Sequence, residues 1–208
     1  MTIVCNDPDI IFVHVPKTGG TSVSRWLLKN APGCKSKTFK TFYSKHTPYY
    51  LFNDEHKKYF SFGIVRNPWE RMVSGYFYEL KKFRLRMNKL QNNHPKVKPS
   101  KVHWQYNYIK AKLDLLEKGF DAYVQAKDFS SCEKTQKYYL EGVDCVLRLE
   151  NLQEDFVPIQ NKVNCYQPLV HLNKTDHDNY KKYYTSKIIK KVIDEYFAED
   201  IDIYQYVF

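Results

Sequence analysis

Residues 16–22 read PKTGGTS, a lysine, two glycines and three hydroxyls directly after the apolar run IIFVHV at 10–15. Gly19 and Gly20 let backbone N–H groups turn inward and approach a ligand closely. Lys17 adds a cation, and Thr18, Thr21 and Ser22 add hydroxyl donors. A helix that starts here points its unpaired N–H groups and the positive end of its dipole at the same spot. The chemistry is anion binding. It is not that of the Walker loop, because the lysine precedes the glycines and no GK[ST] follows. Asp144, in GVDCV, precedes an expected strand and so does not serve as a metal-holding aspartate after one.

A second cation lies in IVRNPWERMVSGY, residues 64–76. Arg66 falls at the end of an expected strand, and Ser74 two turns into the helix after it. The planar guanidinium matches a phosphate bidentately, and the serine adds a donor. Two anion sites, one per strand–helix junction, suit a ligand with two separated phosphate groups.

Seven histidines compete for the role of general base. His46, in YSKHTPYY, follows an expected strand and precedes a helix start, which puts it on the rim shared by Lys17 and Arg66. An imidazole ordinarily titrates near ~6.5, which suits proton abstraction at neutral pH. His14 lies inside the first strand and reads as a core residue, and His171 is the second candidate base. His56, His94, His103 and His177 sit in polar surroundings and read as exposed. Arg148 and Glu150 read as a structural pair.

Positioning these groups requires alternating strands and helices. Strands are expected at 10–15, 37–43, 59–65 and 144–150. Val23, Trp26 and Leu27 recur at helical spacing and predict a helix that NAPG (30–33) ends. Thr47 and Pro48 open a helix in TPYYLF. NPWE at 67–70 starts another clearly, with Asn67 as cap, Pro68 first and Glu70 able to close a capping box. Its apolar face is Trp69, Met72, Val73, Tyr76, Phe77 and Leu80. Residues 84–101 read as a loop or frayed helix end; helices resume at about 104–117, 120–126, from 151, and at 185–198. The class is α/β, a P-loop-like three-layer fold with a central parallel sheet flanked by helices. Such sheets bind ligands at the carboxyl ends of their strands.

HVPKTGGTS followed by FGIVRNPWERMVSGY resembles the family 2, carbohydrate-type sulfotransferases, and the resemblance extends through RLENL (148–152), HLNKT (171–175) and the tail YFAEDIDIYQYVF. It implies 3′-phosphoadenosine 5′-phosphosulfate (PAPS) as donor, its bisphosphate PAP as product, and no required metal. It assigns the 5′-phosphosulfate to Lys17, Thr18, Gly19, Gly20, Thr21 and Ser22, and the 3′-phosphate to Arg66 and Ser74. It matches His46 to the catalytic base, and Lys17 suits the leaving phosphate oxygen. HLNKT could close over the nucleotide, with Lys174 and Thr175 touching the donor.

The totals bound the rest. At 208 residues the chain reads as one domain over 1–208, with a basic insertion around 84–101. The formal charge is +10, and residues 80–113 hold ten Lys/Arg with no Asp or Glu, so the other 23 basic residues balance 23 acidic ones. That segment suits a carbohydrate or other hydroxyl-bearing, anionic acceptor, with Trp104, Tyr106 and Tyr108 able to stack on sugar rings. Nucleic acid is not the expected partner. No basic-then-apolar leader or membrane-length apolar run is visible, so a soluble, cytoplasmic-type enzyme is expected. Five dispersed cysteines without a CxxC pair read as reduced thiols. Two other classes compete with the sulfotransferase: an ATP-dependent small-molecule kinase and a non-enzymatic polyanion binder.

Overall fold

A computed structural model describes residues 1–34, 46–92, 99–170, 172 and 177–208, with only the backbone at 99–102. The strand expected at 37–43, and His94, His171, Lys174 and Thr175, lie outside the described residues. The chain divides into two compact units. The first comprises Met1–Asn67, Lys134–Lys174 and Glu199–Val207; the second comprises Pro68–Glu133, Thr175–Ala198 and Phe208.

The first unit is built on a four-stranded sheet in the order β1 (Ile3–Asn6), β2 (Asp9–Val13), β3 (Phe60–Val65), β4 (Cys145–Arg148). β2, β3 and β4 are parallel, with Phe12 opposite Phe62 and Val65 opposite Arg148. Their carboxyl ends therefore share one edge. The central parallel sheet flanked by helices is thus present, and β1, a strand the sequence did not single out, adds to its edge by pairing antiparallel with β2 through a two-residue turn. So short a connection makes a hairpin, since a parallel crossover needs a dozen or more residues.

Alternate strand residues point to opposite faces, and both faces are covered. Ile10, Phe12, Phe62, Ile64 and Leu147 face α1 (Gly20–Asn30), α6 (Leu152–Asp155) and α7 (Val157–Val163), where Trp26 sets its edge on Phe156 at 4.9 Å. On the other face Gly63 admits Leu140 of α5 (Gln136–Leu140), whose Cδ2 lies 2.1 Å from where a Cβ would stand.

Cys5 and Cys34 are joined by a disulfide, which corrects the expectation of five reduced thiols; Cys132, Cys145 and Cys165 are free. The cause is local packing. The Gly33 N–H donates to Asp7 O at 2.8 Å, and a Cβ on Gly33 would stand 2.2 Å from Asp7 N. The end of α1 is thus drawn onto the hairpin turn, and the two sulfurs meet. Residues 47–52 also differ from expectation. Pro48 is extended, at φ −62 and ψ 149, and only one 3₁₀ turn, Tyr49–Leu51, follows.

In the second unit α2 runs from Pro68 to Asn92, well past the expected loop start at 84. Phe83 and Met87 continue the buried stripe of Leu80 at helical spacing, and the intervening Lys, Arg and Leu are strong helix formers. α3 (Pro99–Glu117) packs on it antiparallel: Tyr76 OH donates to Leu116 O at 2.9 Å, and the Phe83 and Tyr108 rings meet at 6.1 Å. α4 (Phe120–Gln125) and α8 (Lys187–Tyr196) complete the unit, and α9 (Ala198–Ile203) returns the chain to the first. Trp69 Nε1 donates to Asp194 of α8 at 2.7 Å. No described helix is long and apolar enough to cross a membrane.

Candidate active site

The candidate site is assembled in the first unit, at the carboxyl edge of β2 and β3. Lys17 stands at φ 69 and Gly19 at φ 77. A left-handed glycine costs nothing, whereas a left-handed lysine costs about 1–2 kcal/mol and persists only where its surroundings impose it. The Arg66 guanidinium imposes it in part, donating from Nη1 to Lys17 O at 3.2 Å. α1 then begins at Gly20 with no side-chain cap and no acidic residue in its first turn. Its leading N–H groups and positive dipole end thus face the loop, an arrangement that stabilises an anion.

The loop's hydroxyls divide by role. Thr18 is buried and donates to Val15 O at 3.1 Å, bracing the loop from beneath. Ser22 is buried, and its oxygen accepts the N–H of Leu172, the one described residue of HLNKT, at 3.0 Å. Thr21 is half-buried at the head of the helix. Leu149, just past β4, closes over Gly19, with Cδ1 2.7 Å from an added Cβ.

His46 docks onto this same turn. Its Nδ1 lies 2.9 Å from His14 O, and the two imidazole rings tilt together at 4.6 Å. A carbonyl can only accept, so Nδ1 carries the proton and the neutral ring keeps its lone pair on Nε2. That is the tautomer a base acting through Nε2 requires. His14 itself is buried, as the sequence suggested, and it also does more. Its ring lies against Phe12 at 5.9 Å and directly beside Gly20, where a Cβ would stand 2.0 Å from Cδ2 and 2.4 Å from Nε2. One buried imidazole therefore separates the helix start from the candidate base. Gly20→Ala must push this ring off its neighbours. Overpacking of that kind costs about 1–3 kcal/mol, read as a lower midpoint in thermal or urea unfolding. An unchanged midpoint would show that His14 yields without resistance.

Arg66 follows β3, and its backbone is clamped by one side chain. Its N–H donates to Gln136 Oε1 at 2.8 Å, and Gln136 Nε2 donates to its carbonyl at 2.9 Å. The next residue, Asn67, donates its N–H to Glu150 Oε1 at 2.6 Å, and Tyr206 OH donates to Glu150 Oε2 at 3.2 Å. Burial, and then the Glu150 carboxylate, pushes the Tyr206 phenol well up, so it stays a donor. Arg148 binds the tail as well, donating to Tyr204 O and lying 4.8 Å over the Tyr206 ring. Arg148 and Glu150 thus each reach the C-terminal tail, where the sequence suggested a pair. Asp144 sits at the opposite end of β4, accepting from Ser61 N and Oγ at 2.7 Å each.

The structure therefore brings Lys17, the glycine loop, His14, His46 and Arg66 together. Ser74 is buried on α2 in the second unit. Gln136 and Asp200 carried no signal in the sequence. The helix start before Gln136 was legible in principle, because Thr135 caps α5 by accepting the Tyr138 N–H at 3.2 Å.

A family model described as "Sulfotransferase family" matches residues 1–207. No curated protein and no solved structure matches the chain.

Proposed function

The chain belongs to the sulfotransferase family, and from that membership we propose that it moves a sulfuryl group from PAPS to a hydroxyl of a carbohydrate or related acceptor. The observation that carries this reading is the contact of Arg66 Nη1 with Lys17 O at 3.2 Å, which puts the second cation at the lip of the glycine loop. A ligand with anionic groups at both ends of a nucleoside suits two cations so placed.

The residues present fit such a donor. The bare Gly19–Gly20 surface and the uncapped start of α1 offer N–H groups to the phosphosulfate. Lys17 offers an ammonium to the oxygen that leaves with the nucleotide, and Thr21 a hydroxyl. Arg66 grips the 3′-phosphate; Ser74, Lys174 and Thr175 join the donor set on the sequence motifs alone. PAPS supplies the activated sulfuryl group. His46 Nε2 takes the proton of the acceptor hydroxyl as that oxygen attacks in line. Ammonium, guanidinium and backbone dipoles offset the developing charge, so the proposal calls for no metal.

We assign acceptor capture to the second unit. Trp104 is 70 % exposed and lies parallel to Tyr108, with ring centroids 5.7 Å apart and planes within 6°. This is a stacked, exposed aromatic pair on a helix surface, and sugar faces stack on exposed aromatic rings of this kind. Among the described residues, ion pairs engage Arg84 with Glu117, Lys110 with Asp114 and Lys112 with Asp128, and none engages Arg86 or Lys89. Arg86→Glu and Lys89→Glu should each raise the acceptor KM by about 5-fold, matching the ~1 kcal/mol of a strong exposed ion pair. Affinity for 3′,5′-ADP should stay as it was. Equal effects on both ligands would refute this division of labour.

The test of the function is a donor-consumption screen. PAPS and the purified chain are incubated with a panel of neutral, uronate-bearing and sulfated saccharides and simple alcohols, and PAP release is followed. Acceptor-dependent release supports the proposal. Release with no member of the panel, and none by simple hydrolysis, counts against it.

A further inference from the structure

We infer that Gln136 and Asp200 form a positioning relay that sets Arg66 for the donor's 3′-phosphate, an inference that rests on the sulfotransferase reading above. β3 ends at Val65, so Arg66 stands one residue beyond the sheet ladder. A backbone there needs partners for its N–H and C=O. Gln136 supplies both from one amide, accepting at 2.8 Å and donating at 2.9 Å, much as a neighbouring strand would. Gln136 is wholly buried. A buried amide is costly unless its groups are paired, so this one is tolerated because Arg66 satisfies both ends of it.

Gln136 is held in turn. Both carboxylate oxygens of Asp200 accept its backbone N–H, at 2.8 and 2.7 Å, and Oδ1 also accepts the Lys137 N–H at 2.9 Å. Asp200 is wholly buried on α9. One polar chain thus runs from Asp200 through Gln136 and Arg66 to Lys17 O, joining residues separated by more than 180 positions in sequence. Its end is the guanidinium at the loop. Fixing the Arg66 backbone fixes where the long side chain starts, and a bidentate grip on phosphate depends on that aim. The geometry therefore points to Gln136 as a residue that acts through Arg66, and to Asp200 as its anchor.

The experiment compares 3′,5′-ADP with 5′-AMP, which lacks the 3′-phosphate, by calorimetry on the full chain. The wild type should prefer 3′,5′-ADP. Gln136→Leu removes both bonds to Arg66 at similar volume. It should reduce that preference by about 10-fold or more, the equivalent of two ordinary hydrogen bonds. Affinity for 5′-AMP should stay within about twofold, and the donor KM should rise more than kcat falls. Gln136→Glu keeps the acceptor and loses the donor. It should give a smaller loss, and it carries the test if the leucine variant does not fold. Arg66→Ala marks the floor of the preference.

An unchanged preference in a folded variant would overturn the relay while the sulfotransferase reading stands. Equal weakening of both nucleotides would also overturn it, reducing Gln136 to a packing residue. A wild type without any preference for 3′,5′-ADP would overturn the reading itself, and the relay with it.

Discussion

Replacing His46 by alanine should lower turnover at saturating donor and acceptor by ~10²–10⁴-fold, the usual contribution of a positioned general base. Affinity for 3′,5′-ADP should change little, because the imidazole is assigned to the acceptor proton and not to the nucleotide. The expectation follows from one hydrogen bond. His14 O accepts from Nδ1 at 2.9 Å, which commits the lone pair to Nε2. Binding and chemistry are separated by measuring kcat with the PAP dissociation constant on the same preparation. Unchanged turnover would remove the base role from His46, and His171 would be the next histidine to replace. A parallel loss of nucleotide affinity would mean that the ring shapes the loop instead of moving a proton.

Replacing Lys17 by alanine should lower kcat by ~10²–10³-fold, the scale seen when one preorganised donor to a developing anion is removed. Here the backbone sharpens the test. Lys17 holds φ 69, a conformation that glycine adopts freely and lysine does not. Lys17→Gly should therefore lose the same activity as Lys17→Ala while melting no lower than the wild type. The alanine variant keeps the strain of about 1–2 kcal/mol and loses only the cation. A lysine kept in an unfavourable conformation, at a site where removing it spares stability, is one whose place is set by function. If both variants unfold easily and the residual folded enzyme turns over normally, Lys17 is a structural residue.

Much of this site was legible because its signals are local. A lysine before two glycines announces the strand–helix turn that lies between β2 and α1, and NPWE announces a helix whether or not the rest of the chain is known. The strands at 10–15 and 59–65 declared themselves as short apolar runs, and both are buried in the sheet. The basic stretch misled, because clustered charge with Asn and Pro reads as loop, whereas Phe83 and Met87 carry the α2 stripe through it. The clamps on Arg66 and Asn67 could not be read at all. Gln136 lies 70 residues from Arg66, and Glu150 lies 83 from Asn67. No periodicity encodes which buried amide meets which backbone. The Cys5–Cys34 bond was missed for the same reason, since the contact of Gly33 with Asp7 that brings them together is tertiary.

On the proposed function, two neighbouring strand–helix turns hold one bis-anionic nucleotide. Calorimetric titration of the wild-type chain with 3′,5′-ADP, and separately with ATP and Mg²⁺, tests it most directly. One saturable site for 3′,5′-ADP is expected, bound more tightly than ATP–Mg²⁺ and lost in Arg66→Ala. Tighter binding of ATP–Mg²⁺, or 3′,5′-ADP binding indifferent to Arg66, would contradict it.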